Sequence, residues 1–189
     1  MRAFIAIELP ENIKSELGKL QNKLKACRAD VKWVTPANIH LTLKFLGEIT
    51  EIQVDAIDKI IHELTKSKPS YPVNITSLGA FPRIESPQVI WAGVGQGDTE
   101  TKILANELET RLEILGFAKE SREFSTHITL GRAKSKLNMD KLTLSLNELS
   151  NLKNYKLSFI ADKITLLKST LKPDGPVYEI LKEEKLTTT

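Results

Sequence analysis

The chain has 189 residues, is 41% hydrophobic and 27% charged, and carries a formal net charge of +3, a balance that fits a soluble globular protein and excludes disorder, collagen and disulfide-stapled scaffolds. Its single cysteine, Cys27, excludes an intrachain disulfide, so a reducing, cytoplasmic compartment is expected. No apolar run is long enough to cross a bilayer, and the first one is broken by Glu8 and Glu11 before it could serve as a secretory signal.

Residues 2–9, RAFIAIEL, read as a buried strand ending at Pro10. Ile13, Leu17, Leu20 and Leu24 recur at helical spacing and predict an amphipathic helix over about 11–27. VKWV at 31–34 is a short strand closed by Thr35-Pro36, and IHLTLKFL at 39–46 is a second, stopped by Gly47. Ile52, Ile57, Ile60, Ile61 and Leu64 mark another helix. YPVNITSL (71–78) and QVIWAGV (88–94) read as strands separated by a loop holding Pro82 and Pro87. Ile103, Leu104, Leu108, Leu112 and Leu115 predict a helix that Gly116 caps. A strand carries HITL at 127–130, a mixed segment follows at 137–152, and further strands are expected at 155–168 and 176–182. Strands joined so often by short turns favour an α+β fold with mainly antiparallel sheets. With no linker in sight, residues 1–189 are expected to form a single compact domain.

Two of the three histidines open the same frame, HLTL at 40–43 and HITL at 127–130. One histidine begins a histidine-apolar-threonine-apolar frame by chance with a probability of about 0.01, so the repetition points to a shared site. Alternation along a strand puts His40 and Thr42 on one face and Leu41 and Leu43 on the other; His127 and Thr129 repeat this against Ile128 and Leu130. Two imidazoles and two hydroxyls suit in-line displacement at phosphorus. One imidazole takes a proton from the attacking oxygen and the other gives one to the leaving oxygen. The hydroxyls bond the non-bridging oxygens, and a nearby arginine offsets their charge. No metal or other cofactor is required, and neither frame has a second ligand at zinc spacing. His62 reads as a surface or boundary residue and Cys27 as a structural thiol. The similarity between the halves does not by itself establish a duplication.

Residues 132–172 hold nine Lys/Arg against three acids, either a phosphate-attracting surface or ordinary solubilising lysines.

With its paired frames, and with RAFIAIELP, WVTPANIHLTLKFLGEI, FPRIESPQVIWAGV, REFSTHITLGRAK and ITLLKSTLKPDGPVYEIL around them, the chain resembles the two-histidine phosphoesterases, specifically the bacterial and archaeal RNA 2′,3′-cyclic phosphodiesterases once named 2′-5′ RNA ligases. The resemblance implies a bilobal fold whose two related lobes present one frame each to a central cleft. It implies hydrolysis of a terminal 2′,3′-cyclic phosphate on RNA, tRNA fragments included, to a 2′-phosphate. By the same resemblance His40 and His127 are the catalytic acid/base pair, with His127 as base and His40 as acid. Thr42, Thr129 and Arg132 are substrate-binding residues, and the protein is expected to be a monomer without membrane attachment. The family's proline before the second histidine is replaced here by Thr126. Arg132 shares strand parity with Ile128 and Leu130, so it reaches the cleft only if the strand bulges near Gly131. Phe45 falls on the core parity and is expected to pack rather than stack on a base; Trp33 and Trp91 are expected in the core or between the lobes. Rival readings are 2′-5′ ligation, another cyclic nucleotide substrate, or a non-catalytic RNA- or nucleotide-binding module.

Overall fold

The computed structural model describes residues 1–152 and 154–188, so Lys153 of the basic segment lies outside the described residues. Along the chain run β1 (Arg2–Glu8), α1 (Glu11–Lys25), β2 (Val31–Trp33), β3 (His40–Glu48), α2 (Glu51–Thr65), β4 (Tyr71–Arg83), β5 (Ser86–Val94), α3 (Asp98–Leu112), β6 (His127–Ala133), α4 (Met139–Glu148), β7 (Ser158–Ala161), β8 (Lys163–Lys172) and β9 (Gly175–Lys185). The strands form two antiparallel sheets, of order β3-β1-β8-β9 and β2-β6-β5-β4-β7. This is the α+β architecture expected. In each sheet the frame-bearing strand pairs with an antiparallel neighbour, β3 with β1 and β6 with β5.

The helices cross over between the sheets. α2 packs on β8 and β9 and α3 on β3, whereas α4 packs on β5 and α1 on α4. α1 therefore leaves the first sheet to cover the second, and α3 does the reverse. β1 is buried along nearly its whole length because it is a central strand covered on both faces. Ala3, Ile5 and Ile7 join the main core, while Phe4 and Ala6 meet Leu167 and Tyr178 on the opposite face. That second face carries the first histidine.

Three expectations are corrected and a fourth is filled in. Pro82 and Pro87 do not sit in a loop: β4 and β5 run to a two-residue turn at Ile84-Glu85, and the prolines pair across the hairpin beside a register shift, where a missing N–H breaks no ladder. The strand expected at 155–168 is two strands in different sheets, β7 on β4 and β8 on β1, separated by Asp162. The mixed segment contains α4, whose Leu142 and Leu146 are buried. Ile52 and Ile103, counted on apolar helix faces, are exposed. Gly116 does cap the helical stretch, at φ 85°, after a 3₁₀ turn at Glu113–Leu115.

Candidate active site

His40 and His127 are the first residues of β3 and β6, and these two strands from different sheets touch across the interior. On each, the histidine and threonine are partly exposed while the neighbours Leu41, Leu43, Ile128 and Leu130 are buried. Each ring is held in the same way: His40 Nδ1 lies 2.7 Å from Asn38 O and His127 Nδ1 lies 2.7 Å from Ser125 O. A carbonyl oxygen only accepts, so Nδ1 carries the hydrogen and Nε2 is left as the proton-exchanging nitrogen of the neutral ring.

Both strands then carry an extra residue at the same point. Ile5 and Ala6 of β1 pair with Lys44 and Thr42, and Ile90 and Trp91 of β5 pair with Gly131 and Thr129, so β3 and β6 each advance two residues while their partners advance one. Such a bulge shifts the alternation by one. Leu43 and Lys44 are both buried and Phe45 is 62% exposed; Leu130 and Gly131 are both buried and Arg132 is exposed. Arg132 thus reaches the cleft through the bulge that its parity demanded. Phe45 does the same, and the core position expected for it is corrected: the extra residue turns its ring out. Gly131 has a second reason to be glycine, since a Cβ there would lie 2.7 Å from Val31 Cγ1 and 2.9 Å from Trp33 Cε3. Buried Gln21 fastens the second bulge from α1, its Nε2 donating to Leu130 O at 2.9 Å and to Val34 O at 2.7 Å.

Thr42, Phe45, His127, Thr129 and Arg132 line one cleft of about 870 Å³, near the top of the ~300–1,000 Å³ range of small-molecule pockets. His40 stands one pleat before Thr42 and is not among the lining residues. Its ring is covered instead by Phe4 (4.7 Å between centroids) and, edge-on, by Tyr178 (5.3 Å). His127 meets Phe81 edge-on at 5.1 Å. Burial lowers the pKa of both histidines, opposed in each by the backbone carbonyl and assisted by Lys14 at His40 and by Arg132 at His127. Burial raises the Tyr178 hydroxyl, and Arg132 opposes it. The guanidinium therefore acts both on His127 and on the tyrosine that packs against His40.

The outer wall of the cleft comes from α3, through Asn106, Glu109 and Thr110, and from the segment 119–125 that leads into β6. Lys44, displaced inward by the bulge and only 4% exposed, anchors this wall: its Nζ donates to Glu109 Oε1 at 2.6 Å and to Ala118 O at 2.7 Å. Glu109 Oε2 in turn accepts from the Glu120 N–H at 3.2 Å. Thr126, which precedes the second histidine, is buried at the foot of the segment.

Sequence reasoning did not single out Tyr178, Lys44, Glu109 or the segment 119–125. Charge pairing of Lys44 with a distant acid leaves no local signal, and PVYEIL reads as an ordinary strand. The basic segment runs through β6, α4, β7 and β8. Lys163 and Lys168 pair with Glu183 and Glu179 on β9, and of its described residues only Arg132 lines the cleft. His62 bonds Glu184 at the protein surface, 2.8 Å away, and Cys27 is a half-buried free thiol packed against the core. Trp33 and Trp91 are half-buried, over Gly131 and Gly79 respectively. Among the described residues no group of three or more His, Cys, Asp or Glu could hold a metal ion, and no helix is long and apolar enough to cross a membrane.

Comparison with known proteins adds four findings. The family model described as LigT like phosphoesterase matches residues 7–91 and 96–178. A Methanocaldococcus jannaschii protein named RNA 2′,3′-cyclic phosphodiesterase is 37% identical over 183 residues, covering 97% of this chain and 99% of that one. Among solved structures, a Thermus thermophilus protein superposes with a TM-score of 0.83 at 28% identity, covering 100% of this chain and 99% of that one. Escherichia coli LigT in complex with 3′-AMP superposes with a TM-score of 0.80 at 25% identity, covering 99% and 98%.

Proposed function

The chain belongs to the LigT-like phosphoesterase family, and we propose that it hydrolyses the 2′,3′-cyclic phosphate at the end of an RNA to a 2′-phosphate by metal-independent acid/base catalysis. The observation that carries this reading is the matched presentation of two histidines, each with its Nδ1 tied to a carbonyl 2.7 Å away. Support comes from the relatives named RNA 2′,3′-cyclic phosphodiesterase and from the nucleotide held by the Escherichia coli relative.

In this mechanism the cyclic phosphate lies against Thr42 and Thr129, whose hydroxyls donate to its non-bridging oxygens, with Arg132 offsetting their charge. His127 Nε2 takes a proton from a water as that water's oxygen bonds to phosphorus; the Arg132 charge favours the unprotonated ring that this role needs. The P–O3′ bond breaks, and protonated His40 gives its Nε2 proton to O3′. The products are a 2′-phosphomonoester and a free 3′-hydroxyl; His127 ends protonated and His40 neutral, and exchange with solvent resets them. Phe45 offers its exposed face to a nucleobase, since base–aromatic stacking is tolerant of sequence.

The test is hydrolysis of an oligonucleotide ending in 2′,3′-cyclic phosphate by EDTA-treated protein, with the product identified. Wild type yields the 2′-phosphate, and His40→Ala and His127→Ala each slow the reaction about a hundredfold or more. An inert wild type, a 3′-phosphate product, or variants as fast as wild type would overturn the reading. Binding without product would favour the non-catalytic module.

A further inference from the structure

We propose that the outer part of the cleft, between β3 and the segment 119–125, is a binding site for the nucleotide on the 5′ side of the cyclic phosphate, with Arg122 as the contact to the phosphate joining the two nucleotides. The inference rests on the proposed function and goes beyond it by assigning the enzyme a second nucleotide site. Thr42, Thr129, His127 and Arg132 account for the reacting phosphate, yet the cleft of about 870 Å³ continues past them to Asn106 and Thr110 on α3 and to Lys119, Glu120, Ser121, Arg122 and Glu123.

Of the two cations on that wall, Lys119 and Arg122, one is already paired. Glu109 is engaged by Lys44, and Lys119 by Glu113 at 2.8 Å. Arg122 lines the cleft and makes no ion pair among the described residues. Glu120 and Glu123 flank it, which disfavours a free anion drifting onto the wall and favours one delivered by an attached strand. An RNA whose terminal phosphate sits on the threonines has its next phosphodiester close by, and a planar guanidinium suits a phosphate. The wall is held for this task. Lys44 and Glu109 pin the segment at Ala118 and Glu120, so Arg122 is presented from a fixed base, which limits the ordering cost of binding.

The experiment compares kcat/KM for a mononucleoside 2′,3′-cyclic phosphate with that for a dinucleotide ending in the same group, on wild type and Arg122→Ala. The wild type prefers the dinucleotide about tenfold at low salt. In Arg122→Ala that preference falls to about one. The slope of log kcat/KM against log[salt] for the dinucleotide becomes shallower by about 0.7, the value for one lost single-strand phosphate contact. Equal rates on the two substrates in wild type, or an unchanged preference in Arg122→Ala, would overturn the second site while leaving the proposed function standing. Hydrolysis of neither substrate would overturn the function itself, and the inference with it.

Discussion

Phe45 and Arg132 are structural counterparts: each is the sixth residue of its frame-bearing strand, and each is turned into the same cleft by an extra residue inserted directly before it. One strand thereby contributes an aromatic face and the other a cation. The two strands thus present different chemistry to one cleft, which suits the nucleotide proposed for it, with a flat base at one end and an anion at the other.

Phe45→Ala is expected to weaken nucleotide binding without loosening the fold. Base–aromatic stacking is worth about 1–3 kcal/mol, so KM for a cyclic nucleotide rises roughly five- to a hundredfold. Thermal unfolding stays within the narrow range usual for an exposed position. A KM equal to wild type would return the ring to a merely structural role.

The pH dependence follows from the direction of the two histidine shifts. Both rings are held below the ordinary histidine value of 6.5 by burial. The bell-shaped profile of kcat/KM, which reports the free enzyme, therefore reaches its maximum below pH 6.5. Stability follows the same shifts in the opposite sense. Between the lowered values and 6.5 the unfolded chain binds more protons than the folded one, so this contribution is present above 6.5 and is lost as pH falls through the folded values. Arg132→Ala removes a charge that lowers His127, so the His127 ring resonances titrate at higher pH than in wild type. A lower titration midpoint would contradict the proposed electrostatics.

Lys44→Met tests the anchor of the outer wall. Removing one partner of a buried ion pair typically costs about 3–5 kcal/mol because the other charge is stranded, and Glu109 is itself largely covered. Urea unfolding is expected to show a large loss, and the double variant Lys44→Met/Glu109→Gln to recover much of it. A double variant as unstable as the single one would show that packing of the lysine stem, rather than the stranded carboxylate, dominates.

Much of the fold was legible from short-range patterns. The apolar spacing of Ile13, Leu17, Leu20 and Leu24 does mark a helix with those residues buried, and alternation correctly sorted His40 and Thr42 from Leu41 and Leu43. What stayed hidden depends on partners distant in the chain. The bulge that exposes Phe45 exists because β1 advances one residue against two of β3, and nothing within HLTLKFL announces it. On β6, Gly131 did hint at the irregularity, because glycine inside a strand invites one. Tyr178 reaches His40 because β9 lies two strands from β1 in the same sheet and its hairpin is clasped by Asn38, whose Nδ2 donates to Pro176 O at 2.7 Å. The change of sheet at Asp162 follows from pairing alone, β7 finding β4 and β8 finding β1.

That single-residue crossing has a consequence for how the molecule is put together. The two matched regions, 7–91 and 96–178, are consecutive along the chain, but each sheet draws on both: β1 and β3 are joined by β8 and β9, while β6 and β7 are joined by β4 and β5. Each half lends its hairpin to the other, as two identical chains do when they exchange arms. The candidate cleft, lined by β3 of one sheet and β6 of the other, is the seam between them, so it exists only once both regions have folded together.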